Sequence, residues 1–269
     1  MKLSIITVNL NNRDGLQKTI DSVISQTFKD FEWIVIDGGS TDGSRELIEQ
    51  NADHFAFWVS EPDKGIYNAM NKGVVVAKGE YLLFLNSGDR LVNDLTLDRC
   101  FSHDSNADVV YGDVCLWDGN ELKEKRFPEN LSLGFFYNQT LCHNATFIKK
   151  SLFADGLYDE SYKIVSDWAF FLIQYIDNKS FEHIDELVAC YDLSGLSSVN
   201  EALMNQERDS VIRKVFPDKM LQDYQKMHEL EKILKEDHIQ KVLEFGEKKR
   251  MYHKMITACL KLIQLIDKL

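Results

Sequence analysis

Proline is almost missing from this chain: three residues in 269, beside fourteen glycines, which excludes collagen-like or low-complexity character. Cysteine is sparse as well. Cys100, Cys115, Cys142, Cys190 and Cys259 are odd in number and widely spaced, with no CxxC pair. That pattern gives neither a disulfide framework nor a zinc site and suits reduced thiols in a cytosolic protein. Positive charge is in deficit, 31 Lys and Arg against 43 Asp and Glu, for a net charge of −12. Such a carboxylate surplus repels phosphate backbones, so no nucleic-acid partner is expected. A small phosphorylated ligand stays open, because one divalent cation can bridge carboxylates to phosphates. No apolar run approaches the roughly 20 residues that a membrane span needs. The run over residues 3–8 is too short for a signal peptide and ends at Asn9, Asn11 and Asn12, so a cytoplasmic location is expected. With 44% hydrophobic and 11% aromatic residues the chain is no disordered segment, and its length suits one large α/β domain with an appendage.

What is present is an alternation of two periods. Strand-like runs fall over residues 3–8, 32–37, 55–60 and 81–85, and helix-like stretches over 14–26, 44–51 and 65–77. Strands and helices in turn predict a mostly parallel, doubly wound, Rossmann-like α/β sheet. In such sheets ligands sit at the carboxyl ends of the strands. Polar residues stand at those ends: Asn9, Asp37, Glu61 with Asp63, and Asn86-Ser87-Gly88-Asp89. Further on, strands are expected over 108–117, 122–127 (after an Asp118-Gly119 turn) and 145–148. A helix follows over 166–176, then a pair of short strands within 181–191. From residue 201 glycine nearly vanishes and a helical tail begins.

Each candidate has two readings. Asp89, after an apolar strand and a Ser-Gly turn, can bind a divalent metal that holds phosphate oxygens, or can cap a following helix. Asp37 can accept a hydrogen bond from a base or ribose, or can hold its Gly-Gly-Ser loop as an Asx turn. Asp167 can take a proton from a substrate hydroxyl, although a plain N-cap is the commoner role at a helix start. His143 is a second candidate base, or a packed histidine. The stretch Gly38-Gly39-Ser40-Thr41-Asp42-Gly43 is neither a GxGxxG fingerprint nor a P-loop.

Taken together, Ser4 to Asn9, Val35 to Gly43, Glu61 to Gly73, Ala77 to Tyr81 and Leu85 to Asp89 resemble the family 2 glycosyltransferases of GT-A fold. The wording is similar to the bacterial branch that builds surface polysaccharides, of the colanic-acid type. A weaker resemblance continues through His143 to Phe147, Val165 to Trp168 and Gly195 to Ser198. It implies an inverting, metal-dependent transfer of a sugar from a nucleotide donor, most often UDP, to a hydroxyl of a glycan or lipid-linked glycan. Thr7, Asn9 and Asp37 fall where the family holds the nucleoside. Asp63 and the segment from Gly65 to Asn71 line its donor pocket. Asn86 and Ser87 belong to the acidic metal motif, Asp89 matches its manganese- or magnesium-binding carboxylate, and Asp167 its catalytic base. The metal motif keeps one carboxylate where many relatives have two or three, and the base motif reads Ser-Asp rather than Glu-Asp.

The expected organisation is a GT-A domain over 1–200, with a nucleotide-binding half (1–92) and an acceptor half (93–200), and a helical extension over 201–269. Residues 247–269 carry six basic against two acidic residues, with apolar residues at helical spacing. Such a helix packs on its own domain, on a second subunit, or on the inner face of an anionic membrane. Two other functions share parts of this pattern. A sugar nucleotidyltransferase would need a basic glycine-rich loop after the first strand, which residues 9–15 do not supply. A non-catalytic nucleotide-sugar-binding protein would suit the thinned metal motif.

Overall fold

The computed structural model describes residues 1–117, 121–192 and 200–223, with isolated positions at 226, 233, 256, 257, 260 and 261. The Asp118-Gly119 turn, the Gly195 to Ser198 element, Cys259 and most of the 247–269 stretch lie outside the described residues. The chain forms two compact units, Met1–Asp209 and Ser210–Leu269. Among the described residues no helix is long and apolar enough to cross a membrane, and Cys100, Cys115, Cys142 and Cys190 are free thiols.

The first unit is built on a nine-stranded sheet. Its strands are β1 (Leu3–Asn9), β2 (Phe31–Asp37), β3 (Phe57–Ser60), β4 (Tyr81–Phe84), β5 (Arg90–Leu91), β6 (Val109–Trp117), β7 (Leu122–Lys125), β8 (Thr146–Lys149) and β9 (Phe181–Asp192). They lie in the order β3-β2-β1-β4-β8-β6-β9-β5, with β7 on β6. β3, β2, β1 and β4 run parallel, and β8 enters antiparallel beside β4. The helices are α1 (Arg13–Ile24), α2 (Ser44–Gln50), α3 (Ile66–Val76), α4 (Thr96–Ser102), α5 (Leu133–Asn138), α6 (Ser166–Ile176) and α7 (Glu201–Val215).

Every residue of β1 is buried. Its burial without inside–outside alternation is what a strand covered on both faces shows, and its polar Ser4, Thr7 and Asn9 are buried with the rest. Each fully buried Ile, Val or Leu of this kind contributes on the order of 1.5–3 kcal/mol. The approach to β4 is equally tight: a Cβ on Gly79 would lie 2.4 Å from the Ser4 backbone nitrogen. Only glycine fits there.

One expectation is corrected. Residues 181–192 form a single strand, not two short ones. Between the pairs Tyr111↔His183 and Asp113↔Leu187, β9 advances four residues while β6 advances two. This bulge breaks the side-chain alternation without ending the strand, so a period-two pattern sees a gap.

Candidate active site

The carboxyl ends of β1 and β2 meet in register, Asn9 opposite Asp37. Asp37 is fully buried. Its Oδ1 accepts from Asn9 Nδ2 at 2.7 Å and Ser40 Oγ at 2.5 Å. Its Oδ2 accepts from Gly39 N at 3.2 Å, Ser40 N at 3.0 Å and Ser60 Oγ at 2.6 Å. Burial alone would raise this carboxyl's pKa, but these donors outweigh it and hold the group below its ordinary range. With about four lone-pair positions already engaged, Asp37 has no acceptor left for a base or ribose; it is the Asx turn that holds the loop. Thr7 departs from expectation in the same way. It is fully buried, and its hydroxyl accepts from Trp33 Nε1 at 3.0 Å. The group these strand ends leave open is Asn9 Oδ1, buried and without a hydrogen-bond partner.

Asp63 Oδ1 accepts from Gly65 N at 2.8 Å. Its Oδ2 packs so closely on Gly38 that a Cβ there would lie 2.5 Å away. The loops after β2 and β3 therefore abut, with Gly65 exposed at the start of α3. Asn71, further along α3, is a strut whose amide is already spent. Buried, it donates to Tyr158 O at 2.9 Å and Glu160 Oε1 at 3.0 Å and accepts from Tyr158 N at 3.0 Å. A cleft of about 500 Å³ opens between α3 and β3, lined by Phe57, Val59 and Val75 among others. It holds none of the charged groups described next.

The turn after β4 is fastened from below. Asn12 Nδ2 donates to Ser87 O at 2.9 Å, and Ser87 N to Val8 O at 3.0 Å. Buried Thr19 accepts from Gly88 N at 3.0 Å and donates to Asp89 O at 2.6 Å. Nothing in the sequence marks Thr19 for this. Asp89 is followed by strand β5, so it caps no helix. Its Oδ2 accepts from Asn86 N at 3.1 Å. Burial pushes its pKa up to about 6, against the opposing pull of His143 and of hydrogen bonds from Asn144 and Asn86. Asn86 Oδ1 beside it is buried and unpartnered.

Asp167 stands in the first turn of α6, but it does not cap the helix. Its Oδ1 accepts from the adjacent Trp168 N at 2.9 Å and from Tyr67 Oη at 2.9 Å, a hydroxyl also 2.7 Å from Ile164 O. Its Oδ2 lies 3.0 Å from His143 Nδ1, and His143 Nε2 lies 3.1 Å from Asn86 Nδ2. Burial works to raise the Asp167 pKa. Hydrogen bonding and charge from His143, then Tyr67 and the Trp168 amide, outweigh it and keep the carboxylate ionised. His143 mirrors this: burial lowers its pKa, and Asp167 and Asp89 raise it above its ordinary value. Residues 67, 86, 89, 143 and 167 are thus gathered from four separate segments, with Asn86 and Asp89 sharing one turn.

Two residues of α7 complete the frame. Buried Glu207 accepts from Lys163 N at 2.8 Å and Ile164 N at 3.0 Å, fixing the chain just ahead of α6. The Arg208 guanidinium stacks 4.6 Å over the Trp168 ring and donates to Gln139 O at 3.0 Å. No motif pointed to either; Tyr67 lay within the expected donor-pocket segment, but not as a partner of Asp167. Among the described residues no group of three or more His, Cys, Asp or Glu is arranged to hold a metal by itself.

Comparison with known proteins gives the family. The profile of glycosyl transferase family 2 matches residues 4–153. A PGL/p-HBAD biosynthesis glycosyltransferase of Mycobacterium bovis is 34% identical over 174 residues, covering 62% of this chain and 67% of the relative. Among solved structures, S. aureus TarS 1–349 in complex with UDP-GlcNAc aligns with a TM-score of 0.64 at 19% identity, covering 82% of this chain and 69% of that one. The mannosyltransferase PcManGT of Pyrobaculum calidifontis, in complex with GDP-Man and Mn2+, aligns with a TM-score of 0.57 at 15% identity, covering 73% and 58%. These structural likenesses show the shared GT-A, Rossmann-like fold. With the family profile spanning more than half of its length, the chain belongs to glycosyl transferase family 2 and is a glycosyltransferase.

Proposed function

We propose that this enzyme is inverting and metal-dependent. It moves a hexosyl or N-acetylhexosaminyl group from a UDP-sugar to a hydroxyl of a glycan or lipid-linked glycan, in surface polysaccharide biosynthesis at the cytoplasmic side. The observation that carries the reading is the meeting of Asp89 and Asp167, joined through Asn86 and His143, at the carboxyl ends of the parallel strands. The ligands of the structural neighbours, UDP-GlcNAc with TarS and GDP-Man with Mn2+ with PcManGT, support a nucleotide sugar and a divalent ion.

Asp89 fits such an ion. It is a half-buried carboxylate that burial alone drives toward protonation, beside an unpartnered amide oxygen. Asp89 would hold manganese or magnesium, with the donor's diphosphate supplying further ligands. When bound, the ion stabilises the negative charge that builds on the departing diphosphate. Asn9, Asp63, Gly65, Asn86 and Ser87 would line the donor, with Asp37 acting from beneath through the loop it holds. Asp167, kept ionised by its donors, accepts the proton of the acceptor hydroxyl as that oxygen attacks the sugar opposite the leaving group. One base and one displacement invert the anomeric carbon with no covalent intermediate. The domain reading accompanies this: the expected catalytic domain over 1–200 would run on through Asp209, whose unit includes Glu207 and Arg208, and the rest would be an extension toward its own domain, a membrane or a second subunit.

A thermal-shift screen of UDP, UDP-GlcNAc and UDP-glucose with and without manganese tests the donor, since binding stabilises the fold by mass action. Stabilisation that requires manganese is expected, and its absence for every nucleotide sugar overturns the reading. Asp167→Asn should lower transfer or donor hydrolysis about 10²–10⁴-fold while leaving that stabilisation unchanged. Wild-type turnover in this variant eliminates Asp167 as base.

A further inference from the structure

One of the donors on Asp167 spans the site. His143 opens the short 3-10 turn His143–Ala145 ahead of β8, 24 residues before Asp167. Its side chain is 23% exposed and that of Asp167 14%. Each ring nitrogen has one partner: Asp167 Oδ2 at 3.0 Å from Nδ1, and Asn86 Nδ2 at 3.1 Å from Nε2. The carboxylate chooses the tautomer. Ionised Asp167 only accepts, so the single proton of the neutral ring sits on Nδ1, aimed at it.

The terminal torsion of an aspartate is broad and nearly two-fold, so packing alone holds a carboxylate's rotation poorly. Here three of about four lone-pair positions are filled, by Tyr67, the Trp168 amide and His143. The remaining one is free for a substrate hydroxyl. Only His143 binds Oδ2 among these three, and only His143 ties the carboxylate to the turn that carries Asp89.

We propose that His143 is a positioning residue: it fixes the rotation of the Asp167 carboxylate and its register against the Asn86–Asp89 turn, acting through Asp167 and not on the substrate. The proposal rests on the reading of Asp167 as base. Loss of such orientation costs up to about 10²-fold in rate.

Two substitutions separate the contacts atom by atom. Asparagine places an amide nitrogen where Nδ1 stood and keeps the bond to Asp167. Glutamine reaches the Nε2 position and keeps only the contact with Asn86. UDP release is followed with UDP-GlcNAc or UDP-glucose, whichever stabilises the protein, with manganese and water as acceptor. His143→Ala and His143→Gln should lose about 10–100-fold in kcat with donor KM within about two-fold. His143→Asn should recover most of the loss. In an Asp167→Asn background a change at His143 should cost nothing more. An Asn variant as slow as the Gln variant, multiplying effects in the double variant, or wild-type kcat in the Ala variant each overturn the proposal. If the Ala variant does not fold, the Asn–Gln comparison still decides. The geometry has its own test: nitrogen NMR of 15N-histidine-labelled protein should show the neutral His143 ring protonated at Nδ1. A proton on Nε2 overturns the proposal. Turnover unaffected by Asp167→Asn would instead defeat the base reading itself.

Discussion

Thr19→Val keeps a side chain's shape and removes one hydroxyl from beneath the metal-motif turn. In the native protein that hydroxyl accepts from Gly88 N and donates to Asp89 O, at 3.0 and 2.6 Å. Valine strands both backbone groups. An unsatisfied buried group costs about 1–3 kcal/mol, and Gly88 keeps some access to water, so the total should be about 2–3 kcal/mol. For a domain of this size each kcal/mol moves Tm by about 2–4 °C, which gives a fall of roughly 4–12 °C. The same change loosens the turn that aims Asp89, so UDP affinity should fall more with manganese than without it. Differential scanning calorimetry and titration calorimetry measure the two effects. Thr19→Ser, which keeps the hydroxyl, should stay near wild type in both. An unchanged Tm and unchanged manganese-dependent affinity in Thr19→Val refute the reasoning. A serine variant as impaired as the valine one assigns the effect to the methyl group instead.

Asp89 predicts a pH dependence. Its folded pKa, about 6 against an ordinary 3.8, means that the folded protein keeps a proton that the unfolded chain has lost. Its contribution to stability is complete below the unfolded value and is lost as pH rises through the folded one. Urea denaturation without metal should therefore show wild type losing ground to Asp89→Asn between about pH 4 and 6, and a constant difference contradicts this. Manganese-dependent stabilisation by UDP should fade as pH falls through that same folded value, because the proton and the ion compete for one carboxylate. Glu207→Gln leaves one of two backbone amides facing an NH2 group. It should cost about 1–3 kcal/mol and speed hydrogen exchange at Lys163 and Ile164; unaltered exchange there contradicts the clamp. Gly79→Ala drives a methyl against the Ser4 backbone and should cost at least about 1–3 kcal/mol, visible as a lowered urea midpoint; an unchanged midpoint rules out the tight approach.

Much of the site was legible along the chain. Apolar runs ended by Asn9, Asp37 and Asp89 mark strand ends, and strand ends are where a parallel sheet presents its ligands. The helix over 166–176 followed from spacing; for Asp167 at its start, spacing favoured an N-cap, and only the family resemblance marked it as a base. Thr7, Asp37 and Asn71 were a different matter. A hydroxyl, a carboxylate and an amide look alike in sequence whether they face a ligand or each other. Only the fold shows that Trp33, Ser40 with Ser60, and Tyr158 had already taken their hydrogen bonds.

Sequence by itself determined the alternation of elements, the parallel half of the sheet and the polar groups at its edge, because these depend on periods of two to four residues and on which side chains avoid water. Tertiary structure alone decided which polar groups are spent as struts and which remain open. It brought Tyr67, Asn86, His143 and Asp167 together across up to 100 residues of chain and placed Glu207 behind them. Hydrogen bonding is a matter of ångströms and angles, and those are set only when distant segments pack.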